Sequence, residues 1–304
     1  MINNKTTNYF LLIIPMYLLY LFQPEDLSAT EKIQSPNEVI ESAPDNHWRT
    51  PNPENLLYIE LATGRIIIEL APQFSPGHVN NVKLLAKEGF YDYASFYRVV
   101  NGFVAQGGAG KNKRSPIKGK IAIVAEFTKS IDDQFKYMEI SGPDGYAKYS
   151  GFKSGFPINL NNDKTQVWIT HCTGIFAMAR GDDVNSGGTE FYITLNNQRH
   201  LDSNATVFGN VLYGMHLAQR LKRSTSLAGP IDMTGENLIK SIKVAADIPL
   251  NQRIQLEVMD TESESFAKLI KARKYRTEKW FVARSDYVDV CNVNVPVRLK
   301  DTRK

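Results

Sequence analysis

The sequence predicts a mainly β fold, an antiparallel barrel with helical caps. Between residues 56 and 246 many short strand-like runs are interrupted by only two helical segments. The hydrophobic content of 42% and the charged content of 22% are ordinary for a folded soluble protein. At 304 residues, the chain is long enough for one large domain with extensions or for two small ones.

The N-terminal region contains an apolar run of fourteen residues, 9–22, preceded by Lys5. This run is short for a bilayer span, which needs about 20 residues, and Pro15 interrupts it. We therefore expect residues 1–24 to be an export signal rather than a retained membrane anchor or a buried core helix. Residues 25–55 follow as an acidic, proline-rich segment, either a linker or a segment ordered only by packing.

The barrel elements are predicted in order from residue 56. Runs 56–61 and 65–70 form a hairpin around Ala62-Thr63-Gly64. A helix capped by Ser75 follows and ends at Gly89. A second helix is predicted over 213–223, and a closing strand over 238–246. The intervening strands are predicted at 95–100, 103–107, 121–127, 166–170, 174–179, 189–195 and 206–211. Residues 128–165 are predicted to be an inserted excursion rather than a domain.

Residues 247–304 are predicted to form a basic C-terminal extension docked on the barrel, because so short a segment buries little surface alone. Residues 265–304 hold 11 Lys/Arg against 4 Asp/Glu. The sequence Thr261-Glu262-Ser263-Glu264 predicts a capping box at the start of a helix, and the alternation over 287–295 predicts a strand. The excess charge is typical of a solvated surface; an anionic partner is the alternative.

The two cysteines, Cys172 and Cys291, are too few for a disulfide scaffold, and we expect both to be free thiols. The five histidines show no metal-ligand spacing, so no metal site is expected. The sequence has no G-x-S-x-G and no C-x-x-C, and its glycines at 107, 108 and 110 do not complete a phosphate-binding loop.

The segment 95–108 is the most informative part of the chain. It places Arg98, Gln106 and several apolar side chains close together on two short strand-like runs joined by an Asn-Gly turn. Alternation along a strand predicts that Phe96 and Arg98 share one face. A cation beside an apolar slot, with an amide nearby, suits a neutral, proline-like ligand better than an ionised one.

Four further motifs follow in order: 174–181 (GIFAMARG), 185–193 (NSGGTEFYI), 200–202 (HLD) and 207–209 (VFG). Together with 95–108 they resemble the cyclophilins, the barrel-type peptidyl-prolyl isomerases, from about residue 56 to residue 246. The insertion and the extension resemble a divergent bacterial branch of that family. The resemblance implies a closed barrel of eight antiparallel strands capped by two helices, with the C-terminal part as a helical and extended appendage.

The resemblance also implies roles for individual residues. Arg98 corresponds to the catalytic arginine. The substrate-binding positions that it implies are Phe96, Phe103, Val104, Gln106, Met178, Ala179, Arg180, Glu190, Tyr192, His200 and Leu201. No nucleophile, metal or cofactor is needed, because rotation about an X-Pro amide breaks no bond.

Four positions depart from the family's usual pattern. Glu190 stands where most relatives have Gln, and it either braces Arg98 or diverts its guanidinium. His200 replaces a frequent aromatic residue, Ala205 removes a pocket wall, and Arg180 stands where Asn is usual. The expected function is prolyl isomerisation assisting protein folding; the alternative is a proline-binding adaptor or holdase with weak or no turnover.

The expected partners are proline-containing unfolded or flexible polypeptides, with no nucleic acid involved. We expect an exported, periplasmic monomer, either soluble after signal cleavage or anchored to the inner membrane through residues 9–22. A third possibility is a scaffold that acts through its basic tail.

Overall fold

The computed structural model describes residues 33–109, 114–142, 144–224 and 235–300. The strands are β1 Trp48–Arg49, β2 Leu56–Leu61, β3 Gly64–Leu70, β4 Ala94–Val99, β5 Val104–Gly108, β6 Lys129–Ser130, β7 Met138–Ile140, β8 Tyr149–Lys153, β9 Phe156–Leu160, β10 Gln166–Ile169, β11 Ile175–Met178, β12 Phe191–Thr194, β13 Val207–Tyr213, β14 Leu238–Val244, β15 Leu256–Met259 and β16 Val297–Leu299. The helices are α1 Pro36–Glu41, α2 Pro76–Lys87, α3 Met215–Arg220 and α4 Glu264–Lys274.

Eight of the strands close into an antiparallel barrel, as predicted. Their order around the barrel is β11-β12-β5-β4-β14-β2-β3-β13, and β13 pairs with β11 to close it. Three fully buried phenylalanines, Phe176, Phe191 and Phe208, pack together in the interior. Apolar residues of α2 and α3 belong to the same core, so the two helices cover the barrel as expected.

The predicted strand over 121–127 is wrong: within it only Ala122 forms an isolated bridge, to Gly188. Side chains satisfy backbone donors of this run, because Asn185 accepts from the Ala125 N–H and Thr206 from the Glu126 N–H.

The cap of α2 also differs from the expectation. Ser75 occupies the N-cap position, but its hydroxyl donates to the Val207 carbonyl instead of capping the helix.

The insertion forms a second sheet with the order β6-β10-β9-β8-β7. The predicted strand at 166–170 therefore exists as β10 but belongs to this sheet rather than to the barrel. Apolar residues of the insertion sheet pack in one cluster with those of α4 and with Val104 and Tyr192 on the outside of the barrel. The insertion thus reaches the barrel face that carries the predicted site.

The segment before the barrel and the extension after it form a third layer. Strand β1 pairs with β15, which pairs with β16, and α1 packs on α4. Helix α4 begins at Glu264 with Ser263 as its N-cap, so the capping box predicted to begin at Thr261 is wrong. The Thr261 hydroxyl instead accepts from the Gly155 N–H of the insertion.

The two cysteines form a disulfide, Cys172–Cys291, so the prediction of free thiols is wrong. The two residues are 119 positions apart and meet only because the extension packs against the barrel.

The strand predicted over 287–295 is also wrong. This part of the extension contains a 3₁₀ turn, Val290–Asn292, which the Asp289 side chain caps by accepting from the Cys291 N–H.

The apolar run 9–22 lies outside the described residues. Within the described ranges, none of the helices has the length and apolar character needed to cross a membrane. The same ranges hold no group of three or more His, Cys, Asp or Glu side chains arranged to bind a metal ion.

Candidate active site

Strands β4 and β5 place Arg98 directly opposite Gln106. The register shifts between Ser95 and Arg98, and this irregularity breaks the simple alternation of side chains along β4. Phe96 is therefore not beside Arg98 as predicted: it is fully buried in the barrel interior against Phe191. Its role in substrate binding is a wrong prediction, because its ring lies on the other side of the sheet.

A hydrogen-bonded chain joins the polar residues of the site. Arg98 donates through Nη1 to Gln106 Oε1 at 3.1 Å, and Gln106 Nε2 donates to the Tyr97 hydroxyl at 2.8 Å. Burial, together with the charge and hydrogen bond of Glu190, raises the pKa of Tyr97 far above its ordinary value. Tyr97 therefore stays a neutral phenol that bridges Gln106 and Glu190.

Gly108 determines where the Glu190 carboxylate lies among these hydrogen-bonded side chains. The φ of Gly108 is +144°, and a Cβ at this position would collide with the Glu190 carboxylate. The glycine thus supplies both an unusual backbone angle and the space into which the carboxylate fits. Sequence reasoning expected Glu190 to act on Arg98, which stays a prediction; Tyr97, which links Glu190 to Gln106, was missed.

The apolar side of the site lies next to Arg98. The Arg98 guanidinium carbon lies 5.6 Å from the centroid of the Phe103 ring, and the exposed His200 ring stacks on Phe103 with a centroid distance of 6.0 Å. The pocket residues that belong to this one cluster are Phe103, Val104, Ala179, Tyr192 and Leu201. The structure thus assembles these predicted positions from the turn before β5, the end of β11, β12 and the 3₁₀ turn Arg199–Leu201.

Two other predicted positions lie farther from this cluster. Met178 is buried in the barrel interior, on the opposite side of the sheet from Ala179. Arg180 is exposed, donates to the backbone carbonyls of Asn204 and Gly181, and lies 5.4 Å from the Phe127 ring. Arg180 therefore lies at the solvent-exposed edge of the site, whereas the Met178 side chain packs against β11 from the barrel interior.

A buried histidine stands behind the pocket and was missed by sequence reasoning. His171 Nε2 lies 3.0 Å from the Tyr192 hydroxyl, and His171 Nδ1 lies 3.1 Å from Asp202 Oδ1. Burial, with the nearby charge of Asp202, raises the pKa of Tyr192 well above its ordinary value. Tyr192 is thus held as a neutral ring with a fixed orientation. The only sequence signal was the pair of polar residues, His171 and Asp202, flanking otherwise apolar motifs.

This arrangement can bind a small apolar ring next to a cation without offering a nucleophile. A neutral substrate amide beside Arg98 could accept a hydrogen bond, while the cluster around Phe103 would exclude water from its ring side. The site therefore suits a reaction in which charge is redistributed and no covalent bond is broken.

Comparison with known proteins agrees with this geometry. The family model described as cyclophilin type peptidyl-prolyl cis-trans isomerase matches residues 56–244. A probable peptidyl-prolyl cis-trans isomerase of Brucella suis is 26% identical over 190 residues, which are 62% of this chain and 83% of that relative. Peptidyl-prolyl cis-trans isomerase B of Bacillus subtilis is 30% identical over 157 residues, covering 52% of this chain and 82% of that relative.

A solved structure extends the likeness beyond the barrel. The crystal structure of cyclophilin AquaCyp293 from Hirschia baltica matches with a TM-score of 0.69 and 26% identity, covering 88% of this chain and 99% of that one. The match of the family model, which spans more than half of the chain, confirms the resemblance found in the sequence. This chain belongs to the cyclophilin-type peptidyl-prolyl cis-trans isomerases.

Proposed function

We propose that the protein assists folding by isomerising X-Pro bonds in unfolded or flexible polypeptides, with Arg98 as the catalytic residue. The observation that carries this assignment of roles is the position of Arg98, whose guanidinium lies beside Phe103 and opposite Gln106. The substrate proline would occupy the apolar cluster formed by Phe103, Val104, Tyr192 and Leu201.

The barrier to this reaction arises from amide resonance, which gives the C–N bond partial double-bond character. When the bond twists, the proline nitrogen becomes pyramidal and regains a lone pair. A hydrogen bond from Arg98 to that nitrogen is stronger in the twisted state than in the planar one, so it lowers the barrier. Gln106 holds the guanidinium in place, and the Tyr97 hydroxyl holds Gln106 in turn.

The assignment is tested by measuring cis-trans isomerisation of a short proline peptide with Arg98→Ala. Loss of one preorganised donor is expected to lower kcat/KM by about 100-fold to 1000-fold. Arg98→Lys keeps the charge but loses the planar fork and should recover only part of the rate. Arg220→Ala, which removes an exposed arginine on α3, is the matched control and should leave the rate unchanged.

Peptide binding separates catalysis from adaptor function. The isomerase proposal predicts that Arg98→Ala still binds the peptide, because the apolar cluster remains. Equal isomerisation rates for the wild type and Arg98→Ala would contradict the proposal. Peptide binding with no turnover in the wild type would favour the adaptor or holdase.

We also propose that the chain is exported, acts as a monomer and is either released by signal cleavage or tethered through residues 9–22. The disulfide Cys172–Cys291 supports export, since such bonds persist mainly in oxidising compartments. Sequencing the mature N-terminus and fractionating the cell test this proposal. A full-length, reduced protein in the cytoplasm would contradict it.

A further inference from the structure

A buried arginine directly precedes two of the pocket residues and has no part in the catalysis proposed above. Arg199 begins the 3₁₀ turn whose next two residues are His200 and Leu201. Its side chain is only 6% exposed, and its guanidinium forms ion pairs with carboxylates.

Three carboxylates surround Arg199, and each comes from a different part of the chain. Arg199 Nε donates to Asp202 Oδ2 at 2.8 Å, within the same turn. Its two terminal nitrogens donate to both oxygens of Asp144, in the insertion, at 3.0 Å each. Asp289, in the C-terminal extension, lies 3.5 Å from Nη1. We call this group of four side chains the Arg199 clamp.

The Arg199 clamp is buried, which makes its geometry restrictive. The side chain of Asp144 is 2% exposed and that of Asp202 is 7% exposed. A buried ion that loses its partner leaves an uncompensated charge, so these carboxylates cannot move away independently. The bidentate contact with Asp144 also fixes the plane of the guanidinium. The turn is therefore held in one position relative to the insertion.

The same clamp reaches the pocket along two routes. Through the turn, it fixes His200, which stacks on Phe103, and Leu201, which packs in the pocket cluster. Through Asp202 it reaches His171, whose backbone N–H donates to Asp202 Oδ1 at 2.8 Å. The other end of the His171 ring contacts the Tyr192 hydroxyl. Both sides of the apolar pocket thus depend on one ion cluster.

We propose that Arg199 is a positioning residue for the proline pocket, through which the insertion and the C-terminal extension set the affinity for the substrate. This inference rests on the proposed function. The disulfide reinforces it, because Cys172 follows His171 and Cys291 lies two residues after Asp289. The two added segments thus act as parts of the binding site through these ion pairs as well as through their apolar packing behind Val104 and Tyr192.

The test compares Arg199→Lys, Asp144→Asn and Asp289→Asn in the full chain. Each variant is expected to raise the KM for a short proline peptide, with the largest change, about tenfold, at Asp144→Asn, while kcat stays within about twofold because Arg98 is untouched. Arg199→Lys keeps the charge but replaces the planar fork of donors by a single nitrogen, so its KM should lie between those of the wild type and of a fourth variant, Arg199→Ala. Asp289 is 30% exposed and its contact with Arg199 is the longest in the clamp, so Asp289→Asn should fold even if the Arg199 variants do not.

Glu262→Gln is the matched control. Glu262 in the extension pairs with Lys153 in the insertion at 2.7 Å, so this variant loosens the same two segments without touching the clamp. Glu262→Gln should leave KM unchanged. Wild-type KM values in all the clamp variants, or an equal rise of KM in Glu262→Gln, would overturn the proposal.

Peptide dissociation constants, measured for the same variants by calorimetry, separate this proposal from the proposed function. Absence of turnover in the wild type would contradict the proposed isomerase activity but not the clamp proposal. The clamp would then still be judged by whether Asp144→Asn weakens binding and Glu262→Gln does not.

Discussion

Tyr97 determines how the polar half of the site is arranged. Its hydroxyl connects two residues that belong to different strands or loops, Gln106 on β5 and Glu190 just before β12. The phenol is neutral at physiological pH, and its raised pKa reinforces this, so it can donate to Glu190 while it accepts from Gln106. Tyr97 therefore links the negative charge of Glu190 to Gln106.

Removing that hydroxyl tests the linkage. In Tyr97→Phe, Gln106 loses its acceptor and is less firmly held against Arg98, so kcat/KM should fall about fivefold, the equivalent of about 1 kcal/mol. Tyr93→Phe is the control, since Tyr93 is 70% exposed. Wild-type kcat/KM for Tyr97→Phe in a proline-peptide assay would contradict the linkage.

At the scale of elements, side chains from loops hold the helices and the extension in place. Glu126 accepts from the backbone N–H groups of Gly77 and His78 at 2.9 Å each and therefore caps α2 from outside the helix. Burial raises the Glu126 pKa, but the hydrogen bonds from the His78 ring and the two N–H groups outweigh it, so the pKa is lowered overall. The disulfide attaches the extension to the segment that precedes β11.

The lowered pKa of Glu126 makes its stabilising effect pH-dependent. The effect is fully present above the ordinary carboxyl pKa of 4.5 and is lost as the pH falls through the lower native value. Glu126→Gln should reduce the free energy of unfolding by about 1 kcal/mol at pH 7 and by less at acid pH. Urea denaturation at a series of pH values measures this difference; Glu54→Gln, at a 55% exposed carboxylate, is the control. An equal loss at all pH values would contradict the assignment.

The disulfide should contribute strongly to stability because it closes a long loop. For a sequence separation of 119 residues, the chain-entropy estimate is about 5 kcal/mol. We therefore expect reductant, or Cys172→Ser combined with Cys291→Ser, to lower the urea midpoint markedly. Reductant should not affect the double variant. An unchanged midpoint on reduction of the wild type would show that packing alone holds the extension.

At the scale of the whole molecule, one ion pair joins the three layers. Arg49 on β1 donates to both Glu69 oxygens on β3 of the barrel, at 2.6 and 2.9 Å. It also donates to the Ser154 carbonyl of the insertion at 3.1 Å. Together with the disulfide and the Arg199 clamp, this contact makes the described segments before and after the barrel integral to the fold.

Breaking this contact should destabilise the whole protein. Arg49→Ala leaves the buried Glu69 carboxylate without its cation, which should cost about 3 kcal/mol. Arg49→Ala combined with Glu69→Gln should recover part of the loss. Lys87→Ala, which breaks an exposed pair with Asp247, should change stability by less than about 0.5 kcal/mol. Equal effects of Arg49→Ala and Lys87→Ala in thermal unfolding would contradict this role.

The resemblance of five sequence motifs to the cyclophilins supplied the predicted pocket positions, and the sequence by itself determined the barrel and its two covering helices. These features depend on local signals: strand-length apolar runs, the turn at Gly64 and motifs whose residues lie close together along the chain. Arg98, Gln106 and Phe103 could be predicted for this reason, because one hairpin brings them together.

Only the tertiary structure decided the rest. The irregularity in β4 moved Phe96 into the barrel interior, and no local pattern marks such a shift. The disulfide, the Arg199 clamp and the Glu126 cap each join residues that lie tens of positions apart in the chain. Their pairing follows from how the insertion and the extension pack on the barrel, and contacts between such distant residues leave no periodicity in the sequence from which they could be predicted.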